Sequence, residues 1–251
     1  MNDTPKWALE KIQKAKEKQL KELDLSNDWS SSNEQKLTKI PEEVFSLEQL
    51  EVLNLHDNLL TFIPRSIAHL QNLVKLDLSY NQLAFVPDSI SKLQNLTSLY
   101  LDNNRLTSLP GSISQLQNLT RLSLGYNRFA NISSWLVQLE NLTSLDLGGS
   151  GLRTIPEFIF QLQKLVFLGL EDNELTKIPD LISRLRALNM LDLSRNLLTT
   201  LPASISEMKD LKVLDLRSNR LTSIPDAIYE LSSLETLFLN NFRLNMGFRE
   251  L

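Results

Sequence analysis

The chain has no cysteine and only two histidines, His56 and His69. Without thiols no disulfide can staple a secreted form, and the expected location is cytoplasmic. The same shortage removes the raw material of Cys/His and Ser/His nucleophilic sites and of zinc centres. No catalytic residue, no metal ligand and no cofactor is therefore expected. A basic excess is also lacking: the net charge is −4, which argues against nucleic acid as a partner. No run of 18 uncharged apolar residues occurs, so no membrane span is expected. The first residues, "MNDTPKWALEKIQKAKEKQ", are charged throughout and lack the apolar block of a secretion signal. No G-x-x-x-x-G-K-[ST] phosphate loop is present. Glycine is scarce at seven residues, four of them Gly125, Gly148, Gly149 and Gly169.

What the chain has is a period. Leu53, Leu76, Leu99, Leu122, Leu145, Leu168, Leu191, Leu214 and Leu237 are each 23 residues apart, nine copies without insertion. An asparagine follows five residues later at Asn58, Asn81, Asn104, Asn127, Asn173, Asn196 and Asn219; Ser150 and Phe242 break the column. A proline column runs through Pro64, Pro87, Pro110, Pro156, Pro179, Pro202 and Pro225, with Ser133 the departure inside the array. An irregular first copy starts at "LKELDLSND" and rejoins at "LTKIPEEVF", after a seven-residue insertion carrying "WSSSNEQ".

The pattern L-x-x-L-x-L-x-x-N-x-L-x-x-[IL]-P has a physical reading. L-x-L alternates with period two, so it is a short strand with leucines inward and the intervening residues outward. Successive strands stack in parallel and the leucines form one continuous core, because a single repeat buries too little to offset its chain entropy. Each asparagine turns the chain out of the sheet, its amide bonding backbone groups freed there. Proline then fixes φ and is expected to end helical continuation. The predicted fold is an α/β repeat solenoid: a curved horseshoe with a parallel concave sheet and a convex side of short helical or irregular segments.

These motifs resemble the leucine-rich repeat family over about residues 20 to 244. The 23-residue "LP/IP" form is similar to intracellular members: the Ras-suppressor type, plant Ras-group-related proteins and the repeat domains of Roco GTPases. The lead-in "ALEKIQKAKEKQLKELDLS" looks like that of bacterial Roco repeat domains. The resemblance implies a non-enzymatic scaffold that binds a protein or peptide on its concave face. A regulatory repeat domain of a larger signalling enzyme and a self-associating structural protein are the alternatives; otherwise a monomer is expected.

Residues 1–19 are read as a capping helix, 20–242 as about ten repeats, and 243–251 as a C-terminal cap or a truncated end. Asp3 or Thr4 would cap the helix with Pro5 in its first turn, and Ala8, Ile12, Ala15 and Gln19 would share the sealing face. A membrane-surface helix is the sharper alternative. Phe242, Met246 and Phe248 would close the other end.

Candidate binding residues are outward positions that the scaffold does not dictate. Tyr80, Tyr100, Arg121 and Tyr126 form one group, Phe167 and Met190 another; these residue types are enriched at binding hot spots. Gly125, Gly148, Gly149 and Gly169 lie between and predict a hollow in the concave wall; the plainer alternative is that "GGSG" relaxes a turn. On the convex side Trp135, Phe158 and Leu181, with Val137 and Phe160, predict an apolar patch where small polar residues otherwise sit. The alternative is that they pack on each other, Ser133 letting Trp135 fold down. The strand column Asp24, Asp77, Asp146, Asp192 and Asp215 is read as solvated filler rather than an acid/base or calcium site. The N-x-[ST] matches at Asn95, Asn118 and Asn141 occupy one repeat slot, and these, with Asn131, are discounted as glycosylation sites.

Overall fold

A computed structural model of the chain describes residues 4–28, 30–129, 131–239 and the backbone of 242–245. The chain divides into two compact units, residues 1–141 and 142–251. In the N-terminal unit a helix, α1 (Lys6–Glu17), precedes five three-residue strands: β1 (Glu22–Asp24), β2 (Val52–Asn54), β3 (Lys75–Asp77), β4 (Ser98–Tyr100) and β5 (Arg121–Ser123). They pair in parallel, in chain order. The C-terminal unit continues with β6 (Ser144–Asp146), β7 (Phe167–Gly169), β8 (Met190–Asp192), β9 (Val213–Asp215) and β10 (Thr236–Leu239), also parallel in order. A last strand, β11 (Phe242–Asn245), pairs antiparallel with β10.

The period sets the register. Leu53 pairs with Leu76 and Leu76 with Leu99, and these leucines are fully buried. Burying each contributes roughly 1.5–3 kcal/mol. The first step is longer: Leu23 pairs with Leu53, 30 residues on, which is the period plus the insertion. That insertion holds a 3₁₀ turn at Asn33–Gln35.

The asparagines do what the sequence requires of them. Asn104 Nδ2 donates to the carbonyls of Leu78 (3.0 Å), Leu101 (3.0 Å) and Asp102 (3.1 Å), and its Oδ1 accepts from Leu83 N–H at 2.9 Å. Asn81, Asn127, Asn173 and Asn196 make the same donor bonds. Ser150 cannot: its Oγ is buried with no hydrogen-bond partner.

Proline plays a different part from the one expected. Pro64, Pro87, Pro110, Pro156, Pro179 and Pro202 each stand immediately before a five-residue 3₁₀ helix and so begin it rather than end one. Their preset φ near −65° matches that entry. Ser133 fills the position before Ser134–Gln138 with φ −78° and ψ 138°, so the turn forms without the ring.

At the N-terminal end, α1 starts at Lys6 with Pro5, rather than Thr4, in the flanking cap position; Asp3 lies outside the described residues. Ala8, Ile12 and Ala15 are buried as expected. Gln19 is not part of that face: it is exposed, beyond the helix, at φ 48°. Ala8, Ile12 and Ala15 thus face protein, as a sealing helix requires. Trp7 Nε1 donates to Gln35 O (3.0 Å) and Lys11 Nζ to Asp24 O (2.8 Å), tying α1 to the insertion and to β1. At the other end, 242 already belongs to β11; Met246 and Phe248 lie outside the described residues.

Candidate functional site: the outward face of the strands

The outward residues of each strand line up across the pairing. In the N-terminal unit Asp77 sits beside Tyr100 and Tyr100 beside Ser123, with Arg121 beside Ser98. Tyr100 and Arg121 therefore occupy neighbouring strands, two residues out of step. Lys75 Nζ lies 5.2 Å from the centre of the Tyr100 ring, a cation–π contact. Tyr80 is 51% exposed and its ring meets that of His56 at 4.9 Å, tilted by 53°. Tyr126 is 36% exposed.

Tyr80 and Tyr126 share a turn position with Asp57, Asn103, Gly149, Asp172, Arg195 and Ser218. All eight have φ between 51° and 58°, the left-handed region that bulky residues disfavour. Gly149 is the one member of the column free of that cost, so it relaxes the turn. The structure also brings carboxylates onto backbone. Asp77, Asp146, Asp192 and Asp215, with Asn54, each accept the N–H two residues ahead at 2.9–3.0 Å. The aspartate column is thus a set of turn acceptors, not filler. Where Tyr100 and Ser123 interrupt it, Asp102 takes over, accepting from Gly125 N–H at 3.1 Å and from Ser123 Oγ. Burial, reinforced by the charge of Asp77, raises the Asp102 carboxyl above its ordinary range.

One histidine does meet a serine: His56 Nδ1 is 2.9 Å from Ser79 Oγ, which in turn donates to Asp77 Oδ1. The order is wrong for a nucleophile. With its proton committed to Asp77, Ser79 can only accept from the imidazole, whereas an activated serine must donate to it. Among the described residues no group of three His, Asp or Glu side chains is arranged to hold a metal ion.

In the C-terminal unit Phe167 and Met190 are direct register partners on β7 and β8. Gly148 and Gly169 do not open a hollow beside them. A Cβ at Gly169 would lie 2.6 Å from Asp146 Oδ1 and 3.1 Å from Phe167 Cζ; one at Gly148 would lie 2.8 Å from Glu171 Cγ. Neighbouring side chains fill the space, and the missing Cβ atoms are what let them in. Gly125 is itself buried.

On the other side of the coils Trp135, Phe158, Leu181 and Val137 are half-buried and Phe160 is buried. Trp135 lies over Gly111, its Cδ1 at 3.9 Å from where a Cβ would stand. Trp135 and Gly111 belong to the same unit. Sequence reasoning missed a different apolar pair. Phe62 and Phe85 are 43% and 54% exposed and, with Pro64, Pro87, Arg65 and Asp88, line an open groove of about 820 Å³. The signal was present, since the same slot holds Ser108, Thr154 and Thr200 in other copies. The Asn95, Asn118 and Asn141 amides bond the carbonyls of Gln71, Gln94 and Gln117 at 2.9–3.0 Å, a second ladder that explains the recurring slot.

Family profiles described as leucine rich repeat match residues 18–83 and 94–152, two-copy leucine rich repeats match 71–115, and a leucine-rich repeat region matches 156–251. No curated protein matches the chain. Among solved structures, a Leptospira interrogans leucine-rich repeat protein is 39% identical with a TM-score of 0.79, over 88% of this chain and 54% of its own. This chain thus spans about half the length of that protein. The plant peptide hormone receptor RGFR1 in complex with RGF2 is 32% identical with a TM-score of 0.64, over 81% of this chain and 34% of its own. An internalin from Listeria monocytogenes shares the fold at 24% identity and a TM-score of 0.67, over 82% of this chain and 58% of its own. Among the described residues no helix is long and apolar enough to cross a membrane. The leucine ladder, the asparagine turns and these matches agree: the chain belongs to the leucine-rich repeat family.

Proposed function

We propose that the protein is a non-enzymatic, monomeric cytoplasmic binding module that holds a protein or peptide partner on the outward face of its strands. One observation carries the reading. Strand pairing puts Tyr100 and Arg121 on adjacent strands, two residues out of step, and Phe167 directly beside Met190, at outward positions whose residue type varies from copy to copy. Tyrosine offers large contact area with few rotatable bonds to freeze, and tyrosine and arginine both concentrate binding energy when a partner excludes water from them. Tyr80 and Tyr126 add to this by holding aromatic side chains at a strained turn position where Gly149 shows the relaxed choice. The similarity to a plant receptor determined with a peptide hormone supports a polypeptide partner. The 23-residue intracellular class and a signalling role belong to the same proposal.

The test is capture from lysate with the immobilised chain, comparing it with Tyr100→Ala/Tyr126→Ala. The double variant should lose most of the captured polypeptide while keeping the parent's unfolding midpoint within about 1 kcal/mol, as expected of half-exposed side chains. Undiminished capture by a folded double variant would remove the assignment.

A further inference from the structure

In the C-terminal unit two rows run side by side across the strands. Phe167, Met190 and Val213 are successive register partners, half-buried and apolar, with Val166 44% exposed at the row's edge. Next to them Asp146, Gly169, Asp192 and Asp215 are register partners in their turn, and Glu171 and Asp172 follow in the adjoining turn. Five carboxylates on this face stand against two guanidiniums, Arg195 and Arg217. Arg217 is committed to Asp215 (Nη2 to Oδ2, 2.5 Å) and lies 4.8 Å from the Phe238 ring centre. The absent Cβ atoms of Gly148 and Gly169 let Asp146, Glu171 and the Phe167 ring converge; any larger residue would push them apart.

We infer that this face takes a basic amphipathic segment of a partner protein, its apolar side chains on Phe167, Met190 and Val213 and its lysines or arginines over Asp146, Asp192 and Glu171. The inference rests on the proposed reading of the strand face as the binding surface and adds the partner's chemistry. Charge complementarity selects the occupant: the excess carboxylates repel an acidic segment, while the apolar row gives a purely polar cation little to bury. The strand spacing of about 4.8 Å sets the pitch of both rows, close to the rise of one helical turn, about 5.4 Å. A single stripe of apolar residues with a basic flank can therefore follow them across three strands. The carboxylates do double duty, since each of Asp146 and Asp192 spends one oxygen on a backbone N–H.

The experiment uses the full chain and three labelled synthetic peptides of equal length: leucine with lysine at helical spacing, the same with glutamate for lysine, and the same with serine for leucine. Fluorescence anisotropy at low and physiological salt reads the Kd. Asp146→Asn/Asp192→Asn removes two charges yet keeps the turn, because Asn54 accepts the equivalent N–H at 3.0 Å. The leucine–lysine peptide should bind at least tenfold tighter than either control and weaken about tenfold with that double variant. Met190→Ala should weaken it about fivefold, and Glu42→Gln/Glu43→Gln, on a 3₁₀ turn of the other unit, should leave it within twofold. Equal binding of the glutamate peptide, or an unchanged Kd in Asp146→Asn/Asp192→Asn, overturns the inference. The Tyr100/Tyr126 capture assay reads the broader proposal separately, so either can fail alone.

Discussion

Asn104→Ser isolates the contribution of one rung of the asparagine ladder. Serine is too short to span from the turn to three carbonyls, so all four amide bonds of Asn104 are lost. The carbonyls are not orphaned. Leu78 O keeps Asn81 at 3.1 Å, Leu101 O keeps Asn127 at 2.9 Å, and Asp102 O keeps the Tyr80 N–H at 2.9 Å. Leu83 N–H is left with nothing, inside a core where Leu83 is fully buried. One buried unsatisfied donor costs about 1–3 kcal/mol, and each bond lost from an otherwise satisfied carbonyl costs less, with net values of about 0.5–1.5 kcal/mol as the upper range. A total of about 2–4 kcal/mol follows. Urea unfolding measures it, and native-state hydrogen exchange localises it: the Leu83 amide should lose protection while the Leu60 amide, held by Asn81 one repeat earlier, keeps it. A midpoint shift worth under about 0.5 kcal/mol, the scale of an ordinary surface change, together with unaltered Leu83 exchange, would refute the reasoning.

Ser150→Asn is the reverse experiment. It replaces the buried, unpartnered Ser150 Oγ with a side chain able to reach the Leu147 and Gly148 carbonyls, and should stabilise by about 1 kcal/mol, or about 2–4 °C in melting temperature for a chain of this size. Lys36 and Asp57 form a pair at 2.6 Å with side chains only 10% and 16% exposed. Lys36→Met leaves the carboxylate buried alone and should cost about 2–3 kcal/mol in urea unfolding, below the ~3–5 kcal/mol of a fully buried pair; adding Asp57→Asn should recover most of it. The raised carboxyl of Asp102 makes its contribution to stability present at acid pH and lost as pH rises through its native pKa, which lies above 3.8. Asp102→Asn should therefore be more stable than the parent at neutral pH, with the gain vanishing below the ordinary carboxylate range, as read from melting temperatures across pH.

The repeating parts of the molecule were legible because a period turns sequence position into spatial position. Leucine register, asparagine turns, the insertion and the sealing face of α1 all follow from spacing. What spacing could not show was which atom approaches which. Gly148 and Gly169 read as a vacancy in a column, yet the room they leave is taken by Asp146, Glu171 and Phe167, whose reach depends on rotamers. Proline read as a terminator because its lost N–H is the familiar fact; its preset φ, which opens the 3₁₀ turn, decides the outcome. The aspartates looked interchangeable until each was seen holding an N–H two residues on. Phe62 and Phe85 lie outside the strand columns, in a slot two residues before the proline where several other copies carry Ser or Thr and no periodicity marks an apolar residue as exposed.

The most direct test of the binding face is site-specific photocrosslinking with p-benzoylphenylalanine at position 100, on the outward face of β4, and at position 112, in the 3₁₀ turn Gly111–Gln115 on the opposite side of the same coil. The account predicts that a polypeptide from the native cell is trapped from position 100 and not from 112. Trapping from 112 alone would contradict it.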